Sequence, residues 1–334
     1  MNDEPFDPLS ITNKDELKRL LAELAQRMNN VFHLEEMIDH LSRRVLGQDD
    51  TVRSVARFVR QGLAVERRDK PVATLLFVGP PATGKTEMAK AMAEFLFGDE
   101  KRMLRFNCAD FKDPHSASRL VGPPPGYVGA DKGGQLTRPM MSNKRQLILF
   151  DELEKAHADV LTSLLSIMGE GHLDEQGSGN RVDFTEAIIV MTSNESFEAI
   201  ANVDSEIGEE AKRDNAVREI LKRSPKFTPE FVSRIDGILV FRPLDQDSKL
   251  QVIAIQISAT ANAYGLNLCC LAPSIIVDLF AQSEATSDTR DMRNKIIALL
   301  ADVFIEARQE RGLTNIRVDV DESGKPVVSP FEES

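Results

Sequence analysis

The sequence predicts an α/β fold: a domain on a parallel five-stranded sheet, a smaller and mostly helical C-terminal domain, and an N-terminal helical arm. Three observations lead there. Five short apolar runs, at 72–78, 103–106, 147–150, 187–191 and 238–241, are apolar almost without interruption. That is the pattern of strands buried on both faces, as in a parallel sheet. Helix-like segments lie between them; one covers 85–97, with Met88, Met92, Phe95 and Leu96 near one face and Gly98 as its stop. The first run also feeds a glycine-rich loop that opens this helix.

Along the chain, residues 1–40 form the arm, 41–244 the sheet domain and 245–334 the C-terminal domain. Within 13–44, Asn13 can cap a helix with Glu16 three residues on, and Leu17, Leu20, Leu21, Leu24 and Met28 recur at helical spacing; a second short helix is expected over 34–44. After Asp245 the pattern turns helical near 246–263, 273–282 and 290–310, with short strands near 315–320 and 326–328.

Composition narrows the function. The 334 residues are 42% hydrophobic and 28% charged, a globular balance, with 41 Lys and Arg against 53 Asp and Glu for a net charge of −12. That argues against nucleic acid as a partner, since a duplex binder needs a dense basic face. No apolar run approaches the roughly 20 residues that span a bilayer, so no membrane association is expected. The N-terminus, MNDEPFDPLS, lacks the basic and apolar parts of a signal peptide. Cys108, Cys269 and Cys270 fit neither a disulfide framework nor a metal site, and the 5 histidines form no metal-like pairing. The expected setting is a reducing one, the cytoplasm, with all three cysteines as buried small apolar groups.

Three elements carry chemistry. Gly79-Pro80-Pro81-Ala82-Thr83-Gly84-Lys85-Thr86 matches G-x-x-x-x-G-K-[ST], after a strand and before a helix. Glycines let the backbone wrap phosphate oxygens, and the helix N-terminus cradles their charge. Lys85 supplies a cation for the β- and γ-phosphates and Thr86 a hydroxyl for Mg²⁺. The run 147–150 ends in Asp151 and Glu152. Asp151 suits Mg²⁺ or its water, and Glu152 suits a general base that polarises an attacking water. The run 187–191 leads into Thr192-Ser193-Asn194. At a strand's C-terminal edge beside the nucleotide crevice, Asn194 could orient that water and sense the γ-phosphate.

Beyond these elements the sequence resembles a known family. Val45-Leu46-Gly47-Gln48-Asp49, the phosphate loop, GPPPGYVG at 122–129, GGQLT at 133–137, LILFDELEKAH at 147–157, VDF at 182–184, MTSN at 191–194 and FTPEFVSRID at 227–236 occur in order. Together they resemble the second ATPase domain of Clp-type AAA+ unfoldases and disaggregases, the ClpB/ClpA group, over roughly residues 40–320. The resemblance implies an AAA+ P-loop NTPase large domain with a small C-terminal lid, binding ATP and Mg²⁺ and assembling into a homohexamer. It implies that Val45, Leu46 and Gly47, with Gln48, line the adenine pocket. It makes Arg234 an arginine finger in the neighbouring subunit's site, and Tyr127 with Val128 the substrate-gripping part of a pore loop. The segment 171–181 would be a second pore loop, one residue longer than the family pattern.

There are departures. Where family members carry Gly-Ala-Arg at the C-terminal nucleotide sensor, this chain has Asp288-Thr289-Arg290, which keeps Arg290 but alters its neighbours. Where peptidase-coupled members carry Ile-Gly-Phe or Ile-Gly-Leu, the nearest match is Ile207-Gly208-Glu209. A charged third residue does not fill an apolar docking pocket without loss, so no coupling to the ClpP peptidase is expected. The function implied is an ATP-driven unfoldase or remodeler that threads protein substrates, with or without an adaptor, through a ring. The alternative is a nucleotide-switched assembly factor that holds one dedicated protein partner without processive threading. An AAA+ ATPase acting on DNA is disfavoured by the acidic balance.

Overall fold

The computed structural model describes residues 33–124, 126–127, 133–206, 210–283 and 289–331. The helix expected to start at Asn13 lies outside them. The main sheet forms from β1 (Ala73–Val78), β2 (Met103–Asn107) and β3 (Leu147–Asp151); after a hairpin of β4 (His172–Asp174) and β5 (Arg181–Asp183), it is completed by β6 (Ile188–Ser193) and β7 (Gly237–Val240). The five strands are parallel, in the order β2-β3-β6-β1-β7.

The near-continuous apolarity of the inner strands β1, β3 and β6 has a direct cause. Alternate residues enter two different cores, because successive side chains of a strand point to opposite faces. Leu76, Val78, Ile148, Phe150, Ile189 and Met191 enter one, and Leu75, Phe77, Leu147, Leu149, Ile188 and Val190 the other. Helices cover both faces. α1 (Leu34–Arg44), α2 (Asp49–Leu63) and α3 (Lys85–Phe97) close the second core through Met37, Leu41, Val52, Val55, Val59, Met88 and Met92. The short helices α4 (Ala117–Val121) and α5 (Thr137–Ser142) flank the Tyr127 loop. The other face is closed by α6 (Ala158–Glu170), with α7 (Phe197–Glu206), α8 (Glu210–Arg223) and α9 (Pro229–Ser233).

An ion-pair cluster fixes α1 to α3. Arg44 contacts Glu87, and also Glu94 at 2.5 Å and Glu100 at 2.9 Å. Burial alone would lower the guanidinium's affinity for its proton, but the carboxylates Glu100, Glu87 and Glu94 outweigh it and raise it.

Past Asp245 the chain builds its own core. Helices α10 (Gln246–Ala263), α11 (Pro273–Ser283) and α12 (Thr289–Ile305) pack with a sheet of β8 (Asn267–Leu271), β9 (Asn315–Val320) and β10 (Pro326–Pro330), through Ile257, Leu279, Ile296, Leu300, Phe304, Ile316 and Val318. The sequence gives no expectation for β8 or α2. β8 also corrects the reading of the cysteines as buried. Only Cys108 is buried; Cys269 is exposed and Cys270 half-buried. The reason is their position on an edge strand with an irregularity between Leu268 and Cys270, where one core face cannot take both side chains. Among the described residues no helix is long and apolar enough to cross a membrane.

Candidate nucleotide site and the Tyr127 loop

The register of three neighbouring strands brings the predicted chemistry to one edge of the sheet. Val78 of β1 lies opposite Ser193 of β6, and Met191 of β6 opposite Phe150 of β3. Gly79, Asn194 and Asp151 therefore leave the sheet side by side, at its C-terminal crevice.

The phosphate loop is held where only small residues fit. Gly79 has φ +151°, and a Cβ there would lie 2.3 Å from the Phe241 carbonyl oxygen. Gly84 has φ +96°, a region that L side chains avoid, and a Cβ there would press on Val45 Cγ1 at 3.2 Å. Ala82 also sits at φ 63°. Thr83 Oγ1 donates to the Pro80 carbonyl at 3.0 Å. The next residue, Lys85, is buried, and its ammonium donates to the carbonyls of Gly79 at 2.7 Å and Pro80 at 2.6 Å. Burial holds its pKa down to about 8, against the opposing pull of Glu154, Asp151 and Glu152. An ammonium satisfied only by neutral carbonyls will gain from a phosphate.

Asp151 is the hub of the acidic half. It accepts from Thr192 Oγ1 at 2.6 Å, from Arg105 Nη2 at 2.6 Å and from Thr86 Oγ1 at 3.3 Å. A hydroxyl and a carboxylate this close form a hard-oxygen pair that suits Mg²⁺, which takes few protein ligands and completes its shell with water and phosphate. Thr86 and Asp151 would hold the ion. Glu152 follows in the left-handed region at φ 58°, ψ 50°. Its N–H donates to Thr192 Oγ1 at 3.0 Å, and its carboxylate pairs with Lys155 at 2.9 Å. One threonine hydroxyl thus fixes both acidic residues. Asn194, half-buried, follows β6 directly, between the phosphate loop and Asp151.

The 45–48 segment borders the loop. Gln48 donates to the Arg242 carbonyl at 2.8 Å and accepts from the Arg242 N–H at 3.1 Å. A Cβ on Gly47 would lie 2.6 Å from Ser248 Oγ, in the first turn of α10. Val45 and Gly47 therefore lie between the phosphate loop and the start of α10.

Other candidates stand apart. Arg234 donates to the Leu165 carbonyl of α6 at 2.8 Å and to Glu230 at 2.7 Å, not to the Asp151 cluster. Tyr127 is 70% exposed, next to Gly126 at φ 88°. Arg290 lies in the first turn of α12. Val128, Ile207-Gly208-Glu209 and Asp288 lie outside the described residues.

Four polar residues of the site were not expected: Arg105, Thr192, Glu154 and Lys155. Glu154 and Lys155 were visible in the Asp-Glu-Leu-Glu-Lys spacing, and Glu154 carries a buried Oε2 with no partner among the described residues. Arg105 reaches Asp151 only because β2 pairs with β3, placing Asn107 opposite Asp151; spacing alone does not give strand order.

Residues 70–238 match the family model of the AAA domain (Cdc48 subfamily). The chain is 40% identical to the chaperone protein ClpB of Gloeobacter violaceus over 70% of its own length and 26% of that protein's. It is 34% identical to the chloroplastic chaperone protein ClpD2 of Oryza sativa subsp. japonica, over 87% of this chain and 33% of that one. It is 38% identical to ClpC, the ATP-binding subunit of the ATP-dependent Clp protease of Staphylococcus saprophyticus, over 76% and 30%. The chain thus spans about a quarter to a third of the length of these relatives. With the matched model covering the sheet and its phosphate loop, the chain belongs to the Clp-type AAA+ family.

Proposed function

We propose that the chain hydrolyses ATP in a ring of its own copies, a hexamer, and uses the cycle to thread protein substrates past Tyr127. The observation that carries this reading is the pairing of a buried acidic and phosphate-loop site with an aromatic ring 70% exposed on a glycine-flanked loop. An exposed aromatic ring grips backbone and side chains of any sequence through apolar contact.

Lys85 binds the β- and γ-phosphates, exchanging two neutral carbonyls for anionic oxygens. Thr86 and Asp151 hold Mg²⁺, which when bound neutralises phosphate charge and orients the γ-group. Arg105 must then share or yield its oxygen of Asp151. Glu152 leaves Lys155 to take the proton of the attacking water, which Asn194 orients. Arg234, tied to α6 in its own chain, reaches the site of the next subunit, where a guanidinium is typically worth about 10³–10⁵ in rate. Val45, Leu46 and Gly47 hold the adenine, and Arg290 reports nucleotide to the C-terminal lid over 245–334. Val128 extends the grip of Tyr127. Glu209 argues against ClpP as a partner, and the cytoplasm is the compartment proposed.

The test is ATP-driven unfolding of a tagged fluorescent protein. Tyr127→Ala should keep ATPase activity to within about a factor of two while unfolding stops, because an exposed aromatic contributes grip but little to the core. Normal unfolding by Tyr127→Ala removes the pore reading and favours the dedicated switch.

A further inference from the structure

The hairpin at 172–183 holds a side chain that neither the nucleotide site nor the grip accounts for. Glu175 is 2% exposed, although Asp174 and Gln176 beside it are exposed. A buried carboxylate is costly unless its oxygens are paired. One oxygen, Oε2, is paired within its own turn, accepting from the Ser178 N–H at 3.1 Å and from the Ser178 hydroxyl. The other, Oε1, is buried and has no donor among the described residues.

What Oε1 faces is the neck of the loop that carries Tyr127. A Cβ on Gly122 would lie 3.0 Å from it, and one on Gly133 2.9 Å. These glycines stand at the two ends of that loop, so the oxygen wedges between them. The neck is itself laced by main-chain bonds, Gln135 N–H to the Arg119 carbonyl at 2.8 Å and Leu136 N–H to the Leu120 carbonyl at 3.0 Å. The hairpin adds one more, from Gln176 N–H to the Val121 carbonyl at 3.0 Å. Turn and neck therefore touch through one backbone bond and one carboxylate.

We propose that Glu175 is a positioning residue that locks the hairpin turn to the neck of the Tyr127 loop, so that the two exposed loops move as one body. The hairpin continues from α6, which starts soon after Glu152 and receives Arg234 at Leu165. A shift of α6 during hydrolysis thus reaches Tyr127 through Glu175. The value of this for threading rests on the pore reading; the lock itself does not.

The experiment compares Glu175→Ala and Glu175→Gln with the unchanged chain by hydrogen exchange, melting temperature, basal ATPase and unfolding per ATP. In Glu175→Ala, amides at 119–122 and 133–136 should exchange about tenfold faster while those of β1, β3 and β6 are unchanged, since local opening is separable from global stability. Unfolding per ATP should fall about tenfold with basal ATPase kept, a coupling of the size that contact networks carry. Glu175→Gln keeps the shape, and its amide oxygen can still accept from the Ser178 N–H and hydroxyl, so it should restore both. Unchanged exchange at the neck in Glu175→Ala overturns the lock. So does a loss of melting temperature and ATPase together that Gln fails to rescue, which marks a merely structural residue. If the neck loosens while unfolding by both Glu175→Ala and Tyr127→Ala stays normal, the pore reading fails and the lock stands.

Discussion

At the nucleotide edge every residue of β1, β3 and β6 is buried, and Asp151, Thr192 and Lys85 there each have two or three hydrogen-bond partners. At the Tyr127 loop the ring is 70% exposed and the residues just before it, 122–126, are all glycine or proline. The difference teaches how work is divided in this fold. Moving charge during hydrolysis needs groups held in place before the reaction, where a dry setting strengthens their effect. In the proposed function, holding polypeptides of varied sequence needs a ring that can adapt, so rigidity would cost it breadth. The hairpin with Glu175 lies between the two regimes, a buried charge on an exposed turn.

Substitutions should therefore separate cleanly by region. The largest effect belongs to Glu152→Gln, which keeps the shape but removes the base. ATP should still bind while turnover falls by about 10²–10⁴, read by equilibrium binding and phosphate release. A variant that hydrolyses at the normal rate would move the base elsewhere, with Glu154 the next carboxylate to try.

Thr192→Val sharpens the contrast. It removes one hydroxyl that serves both Asp151 and the Glu152 N–H, leaving a buried donor unsatisfied. Turnover should fall on the order of 10²-fold through misplacement, and stability by about 1–3 kcal/mol, by kinetics and chemical denaturation. An equivalent change at the loop, Tyr127→Ala, should leave both nearly unchanged.

The pH dependence of nucleotide binding follows from Lys85. Its pKa in the folded chain is pushed down to about 8, below the usual lysine value, because burial disfavours the ammonium. The unfolded chain therefore binds more protons between about 8 and the ordinary lysine value, so this residue's contribution to stability rises with pH across that window. Bound phosphate raises the pKa again, so ATP affinity should fall as pH climbs through 8, by up to about tenfold per unit, measured with the Glu152→Gln chain. Lys85→Arg, which does not titrate there, should show a flat profile at whatever affinity it retains.

The smallest effect is expected at Arg44→Ala. Its three partners are partly exposed, so the loss should be roughly 1 kcal/mol, shrinking with added salt and leaving the ATPase rate intact. A large loss of turnover there would mean that α1 helps to set the phosphate loop through α3.

Much of this was legible in the chain. The five strands lie within a residue or two of the apolar runs; burial on both faces leaves β1, β3 and β6 almost no polar position to blur them, while β2, at the sheet edge, carries the exposed Arg105. α3 spans Lys85–Phe97 as its pattern predicts, stopped by Gly98 in the left-handed conformation. α10 starts where Asp245 can cap it, accepting from the Ser248 N–H at 2.8 Å. The phosphate loop, Asp151, Glu152 and Asn194 were readable because each lies at the end of such a strand. What was not readable depends on contacts distant in sequence. The Arg105–Asp151 pair needs the strand order, and the packing of Arg234 on α6 needs the tertiary fold. The exposed Cys269 needs the edge position of β8, a short strand that mixes polar and apolar residues and so lacks the pattern of the central five.

The most direct test places a photo-crosslinking residue at Tyr127 in the Glu152→Gln chain, in cells, and identifies what is captured only when ATP is bound. The account predicts many different polypeptides, each crosslinked along extended stretches. Capture of a single protein at one fixed position, or of none, would contradict threading.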